Sequence, residues 1–264
     1  MKLLVSYSAY WPSEEVTRKK FWLYLASCKQ HAIEPQAYGQ FTDAYLGNAA
    51  MRIYGLLDFL KTLDGSFTHI LFTHAWDVLF TAPLSDITKK YRQFGSPPML
   101  MGAVKADMSD LRNTVDGGRF RAMFDQAQPY WYPAWCMFIA EIPYLVDRFS
   151  RIEKGHYNEA VPWTNALESK LIEPVYDTQC NIFQTIVADM PEAEVVDGRM
   201  HNSLTDTDPA VVHFLVGDAD QETGRDEWVV PWACKLGVIG HEWARRRDGR
   251  WCTQCEKVEF GVWS

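Results

Sequence analysis

At 264 residues, with 47 % apolar and 23 % charged side chains, the chain is long enough to bury a substantial core and too apolar to stay disordered. Its net charge of −8 is uneven: Trp232 to Ser264 carries six Lys/Arg against four Asp/Glu, which leaves −10 on the residues before it. Such an acidic body excludes a broad phosphate-tracking surface, while the basic tail leaves a local contact with nucleic acid open.

The eleven tryptophans suit a binder of sugars or nucleobases, whose flat faces lie on aromatic rings, although core filling accounts for most of them. Met1-Lys2-Leu3-Leu4-Val5 has an apolar run too short for a signal-peptide core. No stretch approaches the roughly 18 apolar residues of a membrane span. The expectation is a cytoplasmic protein with no membrane partner, whose six cysteines are thiols or metal ligands.

Strand and helix signals alternate, predicting an α/β fold with a mostly parallel sheet flanked by helices. Leu3-Leu4-Val5 reads as a short buried strand running into the polar and aromatic loop 6–11. Ser13-Glu14-Glu15 then starts a helix predicted to reach about residue 31. A strand is predicted at 33–37 and a helix at 48–63, with Met51, Tyr54, Leu57, Leu60 and Leu63 at helical spacing. His69-Ile70-Leu71-Phe72-Thr73 is a continuous apolar run of central-strand type. Beyond it the pattern predicts a helix at 86–92, a strand at 98–104, an irregular segment at 106–128, a strand at 135–140 and a helix at 142–152. A loop at 155–168, a helix at 177–190 and strands at 194–196 and 211–215 complete the body. An acidic, glycine-containing link at 217–226 sets the boundary between a domain at 1–225 and a tail at 226–264.

Ligands of open α/β sheets bind beyond the carboxyl ends of the strands. The segment His74-Ala75-Trp76-Asp77, directly after the apolar run at 69–73, is therefore the first candidate site. Asp77 could supply a hard oxygen and His74 a nitrogen to a divalent cation that bridges a diphosphate. The alternative is a turn cap at Asp77 and a satisfied surface histidine at His74.

In the tail, Cys234, His241, Cys252 and Cys255 place four soft ligands within 22 residues, and the close pair Cys252 and Cys255 can share one tetrahedral Zn2+. The metal would supply folding energy that so small a segment lacks. Arg245, Arg246, Arg247 and Arg250 lie beside Trp243 and Trp251, an interleaving that suits nucleic acid but also an ordinary solvated face. Compact knuckles of this type resemble tails of bacteriophage proteins. Cys28, Cys136 and Cys180 sit in apolar surroundings and read as packing residues.

Leu71-Phe72-Thr73-His74-Ala75-Trp76-Asp77-Val78-Leu79-Phe80 resembles the metal-binding segment of procollagen lysyl hydroxylase glycosyltransferase domains and related GT-A enzymes. There an apolar strand leads into Asp-x-x-Asp, then Val and an apolar pair. The match continues in chain order through the helix around Arg52, the strand Trp135-Cys136-Met137-Phe138, Tyr176-Asp177-Thr178-Gln179 and Val212-His213-Phe214, covering about residues 1–217. This resemblance implies a Rossmann-like GT-A domain that moves a sugar, of glucose type, from a UDP-sugar donor to a hydroxyl acceptor. It implies Mn2+ or Mg2+ held by Asp77, His74 and His213. Asp177, at a helix start, would stabilise the transition state or deprotonate the acceptor, and Gln179 would bond the donor sugar. Ser6, Tyr10, Trp11, Arg52 and Trp76 would line the donor pocket, with Tyr10 or Trp11 stacked on uracil. Two departures stand out. His74 occupies the place of the family's first carboxylate, which lowers the expected cation affinity, and the family's Asn-Ser-Gly-Gly is not kept near Trp135.

A hydroxymethylated base in phage DNA would suit as acceptor for a cytoplasmic enzyme with a basic tail, although the acidic body speaks against it. Two rival readings share the fold. One is a catalytically degenerate module that binds nucleic acid or protein through its zinc tail. The other is a nucleotidyltransferase, which would release pyrophosphate.

Overall fold

The apolar runs become the middle of one sheet. The computed structural model describes residues 1–9, 21–39, 51–105, 127–155, 160–186, 190, 192–215 and 229–240. In it, β1 (Leu3–Ser8), β2 (Gln36–Tyr38), β3 (His69–Thr73), β5 (Met99–Val104), β6 (Tyr132–Glu141) and β7 (Val175–Asp177) form a six-stranded sheet ordered β2-β1-β3-β6-β5-β7. Only β6 runs against its neighbours, pairing antiparallel with both β3 and β5. The sheet is therefore mostly parallel, as expected. All six residues of β5 are buried; a strand covered on both faces has no solvent side, so its sequence is apolar without alternation.

Helices cover one face: α2 (Met51–Thr62), α4 (Ile142–Phe149) and α5 (Ala160–Glu168) pack Leu56, Leu57, Leu60, Leu145, Phe149 and Trp163 onto Ile70, Phe72 and Phe138. On the other face, α1 (Trp22–Gln30) and α3 (Leu84–Gln93) bring Tyr24, Cys28, Ile87 and Tyr91 to Val5, Leu71 and Ile139. Among the described residues, no helix is long and apolar enough to cross a membrane.

A second sheet, ordered β4-β11-β8, is built from β4 (Val78–Phe80), β8 (Phe183–Ile186) and β11 (Val211–Phe214), with β11 antiparallel to β4 and parallel to β8. Here the structure corrects the helix expected at 177–190. Asp177 ends β7, a turn with Cys180 at φ +51° follows, and the chain re-enters as β8. The reason is the partner: Phe183, Gln184, Thr185 and Ile186 pair along β11, and that ladder overrides a local helical pattern. The loop expected at 155–168 contains α5 instead. Pro162 lies in its first turn, where a missing N–H costs nothing, and Trp163, Ala166 and Leu167 bury its inner face.

β9 (Ala193–Val196) and β10 (Arg199–Asn202) form a hairpin across Asp197-Gly198, both at positive φ (50° and 73°), the two-residue turn that suits strand twist. The boundary expected at 225/226 lies outside the described residues. Beyond it, residues 229–240, helical over 229–235, put Val229, Val230, Ala233, Cys234, Leu236 and Ile239 into one cluster with Leu79, Ile186, Val212 and Phe214.

Candidate functional site

Where β3 ends, the chain crosses from the large sheet to the small one, and His74, Ala75, Trp76 and Asp77 make that crossing. Four hydrogen bonds fix it. The His74 N–H donates to the Cys136 carbonyl on β6 (2.9 Å), and the Phe214 N–H donates to the Asp77 carbonyl (2.7 Å). On either side α1 holds the chain: the Thr73 hydroxyl donates to the Tyr24 hydroxyl (3.1 Å), and the Phe80 N–H to Ser27 Oγ (3.0 Å). Both side chains of the motif are thus presented at the carboxyl end of a central strand, the general position of ligands in such sheets.

Asp77 and His213 meet there. Asp77 Oδ2 lies 3.2 Å from His213 Nε2, and both side chains are largely buried. The other oxygen, Oδ1, is buried with no hydrogen-bond partner among the described residues. His213 comes from β11, opposite Val78 of β4 and Thr185 of β8. Its second nitrogen, Nδ1, is 3.3 Å from Thr185 Oγ1 and 3.6 Å from Cys136 Sγ. Burial alone would lower the proton affinity of this ring. The charges of Cys136 and Asp77, together with hydrogen bonds to both, outweigh it and raise the pKa well above the usual imidazole value.

His74 stands at right angles to His213, with ring centroids 6.3 Å apart, and its Nε2 is 3.3 Å from an Arg52 guanidinium nitrogen at the start of α2. Donor atoms of His74, Cys136 and His213 all lie within 4.8 Å of one another. Among the described residues, the two imidazoles of His74 and His213 and the sulfur of Cys136 could hold a metal ion between them, with the Asp77 carboxylate against the Nε2 edge of His213.

The remaining expected residues divide. Arg52 adjoins His74, and Trp76 is half-buried against the core on the α1 side. The Ser6 hydroxyl donates to the Gln36 carbonyl (2.8 Å), tying β1 to β2. Asp177 does not begin a helix. Its carboxylate is fully buried and accepts the N–H groups of Asn181 (2.8 Å), Ile182 (2.6 Å) and Phe183 (2.9 Å). Burial pushes this carboxyl above its ordinary value against the pull of those donors. Gln179 is exposed and bonds Gln128 (3.0 Å). Tyr10, Trp11, His241, Cys252 and Cys255 lie outside the described residues, and Cys234 is buried in the apolar cluster beside the small sheet.

Sequence reasoning missed Cys136 and Thr185. Cys136 sits in an apolar run and reads as packing; only the pairing of β3 with β6 brings it beside His74. Thr185 gave no signal, because its segment reads as helix.

The sequence matches no family model and no curated protein, so the likeness to lysyl hydroxylase transferase domains rests on motif order alone. Solved structures similar in fold include a glycosyltransferase involved in glycosylation of the major capsid of PBCV-1 (10 % identity, TM-score 0.47, 87 % of this chain and 100 % of that one). Another is 4-diphosphocytidyl-2C-methyl-D-erythritol synthase from Anaerococcus prevotii (10 % identity, TM-score 0.39, 66 % and 87 %). A third is CMP:2-keto-3-deoxy-manno-octonic acid synthetase complexed with CTP (6 % identity, TM-score 0.39, 67 % and 90 %).

Proposed function

We propose that the chain is a cation-dependent glycosyltransferase that moves a sugar from a UDP-sugar to a hydroxyl acceptor. The observation that carries this reading is the buried Asp77–His213 pair at the carboxyl end of β3, with Asp77 Oδ1 unpartnered. Asp77 and His213 would hold Mn2+ or Mg2+, with His74 beside them. Bound there, the cation would neutralise the donor diphosphate and stabilise its departure.

The chain's own groups do the rest. Arg52, beside His74, adds positive charge where phosphate oxygens would sit. Trp76 offers an apolar face next to them. Asp177 spends both carboxylate oxygens on the turn before β8, which supports a positioning role for it rather than contact with the sugar. Through β8 it sets Thr185, and Thr185 meets His213. Gln179, exposed at the same turn, would make the contact with the donor sugar.

Calorimetry with UDP, with and without Mn2+, tests the reading. Metal should tighten UDP binding by about tenfold or more, and Asp77→Asn should remove that dependence. Equal UDP affinity with and without metal in the wild-type chain would overturn it. Product analysis separates the rivals: free UDP marks sugar transfer and pyrophosphate marks nucleotidyl transfer. Neither product, with no metal-dependent binding, marks the degenerate module that His74 in place of a carboxylate would favour.

Hydroxymethylated DNA belongs among the acceptors offered, since the basic residues Arg245, Arg246, Arg247 and Arg250 suit a polyanion. The spacing of Cys234, His241, Cys252 and Cys255 supports a separate structural Zn2+.

A further inference from the structure

The ring of His213 has two edges with different chemistry. On one, Nε2 faces the carboxylate of Asp77 at 3.2 Å, a hard oxygen donor. On the other, Nδ1 faces the sulfur of Cys136 at 3.6 Å, and a ring nitrogen of His74 lies within 4.8 Å of that sulfur and of a ring nitrogen of His213. We propose that His74, Cys136 and the Nδ1 edge of His213 form a site for a thiophilic divalent cation of the zinc class, exclusive with a hard cation on the Nε2 edge.

The distances suit the softer ion. A tetrahedral zinc with a sulfur at ~2.3 Å and a nitrogen at ~2.0 Å holds those two atoms about 3.5 Å apart, and Cys136 Sγ and His213 Nδ1 already stand at 3.6 Å. His74 needs only a small approach to close the triangle. Three protein ligands would leave a fourth position open, the pattern of reactive rather than purely structural zinc. Asp77 then takes a second part. Accepting the Nε2–H of His213, it holds the tautomer whose Nδ1 lone pair faces Cys136, the carboxylate–histidine–metal relation that commonly steadies a ligand ring. Binding takes the sulfur as thiolate and Nδ1 of His213 as a lone pair, so any proton held on either atom leaves to solvent. The sulfur also restores the anionic charge lost where His74 stands in place of a carboxylate.

Exclusivity follows from the tautomer. A hard cation beside Asp77 needs the lone pair on Nε2, and the thiophilic cation needs it on Nδ1. One imidazole presents one neutral lone pair at a time. Zinc should therefore displace manganese from this centre without sharing its ligand atoms. The inference rests on the reading above in placing the hard cation at Asp77, but the soft edge stands on its own geometry.

The test uses the full chain, stripped of metal, carrying Cys252→Ser and Cys255→Ser so that the close tail pair contributes no signal. Co2+ added to this protein should give a thiolate-to-cobalt charge-transfer band in the near ultraviolet. Adding Cys136→Ser should abolish the band and weaken Zn2+ binding by at least about a hundredfold, while Asp77→Asn should weaken Zn2+ by roughly ten- to a hundredfold. X-ray absorption of the Zn2+ form, with Cys136 intact, should find one sulfur at ~2.3 Å with nitrogen neighbours. Paramagnetic resonance should show Mn2+ released as Zn2+ is added.

A band indifferent to Cys136→Ser, a zinc shell without sulfur, or Mn2+ retained at saturating Zn2+ would each overturn the proposal. If UDP binding depends on Mn2+ but the band is missing, the soft site fails and the donor reading survives. If the band is present but UDP binding ignores metal, the donor reading fails and the soft site survives.

Discussion

Asp177 carries a residue-scale consequence. Three backbone N–H groups point at one buried carboxylate, so an amide in its place must turn either its N–H2 or a reduced acceptor set toward them. Charge-assisted bonds of this kind contribute about 1.5–3 kcal/mol each, and stranding a buried donor costs about 1–3 kcal/mol. Asp177→Asn should therefore lower the unfolding free energy by roughly 2–4 kcal/mol, read by urea denaturation. If sugar contact were its main task, the variant would lose turnover with stability intact. Asp77 makes the contrast, being a buried carboxylate with one oxygen to spare, which is why binding rather than stability should respond to Asp77→Asn.

Among the elements, the tightest constraint lies where β5 passes behind β8. The pairing of β5 with β6 shifts register between Met101 and Gly102. A Cβ added at Gly102 would stand 3.1 Å from Phe183 Cβ, 3.4 Å from Ala134 Cβ and 3.5 Å from Met137 Cε. The nearest atoms belong to two strands that cannot move independently, so the contact must be relieved by shifting one of them. Gly102→Ala should cost about 1–3 kcal/mol, measured as a fall in thermal midpoint. Because Phe183 begins the strand that carries Thr185, metal-dependent UDP affinity should drop with it. Unchanged stability would mean that β8 yields freely, and that the site rests on a softer frame than these contacts imply.

For the whole molecule, the small sheet is the hinge of the organisation. One of its faces closes the large core through Phe80, Phe183 and Val211. The other receives residues 229–240 through Leu79, Val212 and Phe214, and Gln30 of α1 donates to the Leu236 carbonyl (3.3 Å). That arrangement makes 229–240 part of the folding unit that holds His213. Leu79 is fully buried between them, and Leu79→Ala should cost about 2–5 kcal/mol while making 229–240 more sensitive to protease. Two separate unfolding steps in the wild-type chain would argue instead for an independent tail. The acidic, glycine-containing link at 217–226, on which the sequence places its domain boundary, ends just before these residues.

What could be read from the chain itself was whatever depends on burial alone. The apolar stretches within β1, β3, β5, β6 and β11 were legible because their side chains are largely buried, and Asp77 was found because it follows such a stretch, at the strand end where ligands of these sheets bind. The hairpin across Asp197-Gly198, with β10 beyond it, was not read from the sequence. Tertiary structure decided everything that depends on a partner. Asp177 became a strand end because β11 pairs with β8. α5 formed across Pro162 because Trp163 had a sheet to bury against. Cys136 and Thr185 joined the site because three strands from distant parts of the chain converge on His213. Local pattern reports how much of a residue is hidden from water, whereas the atoms that hide it, and hence the chemistry of His74, Asp77 and His213, are chosen only when the strands pair.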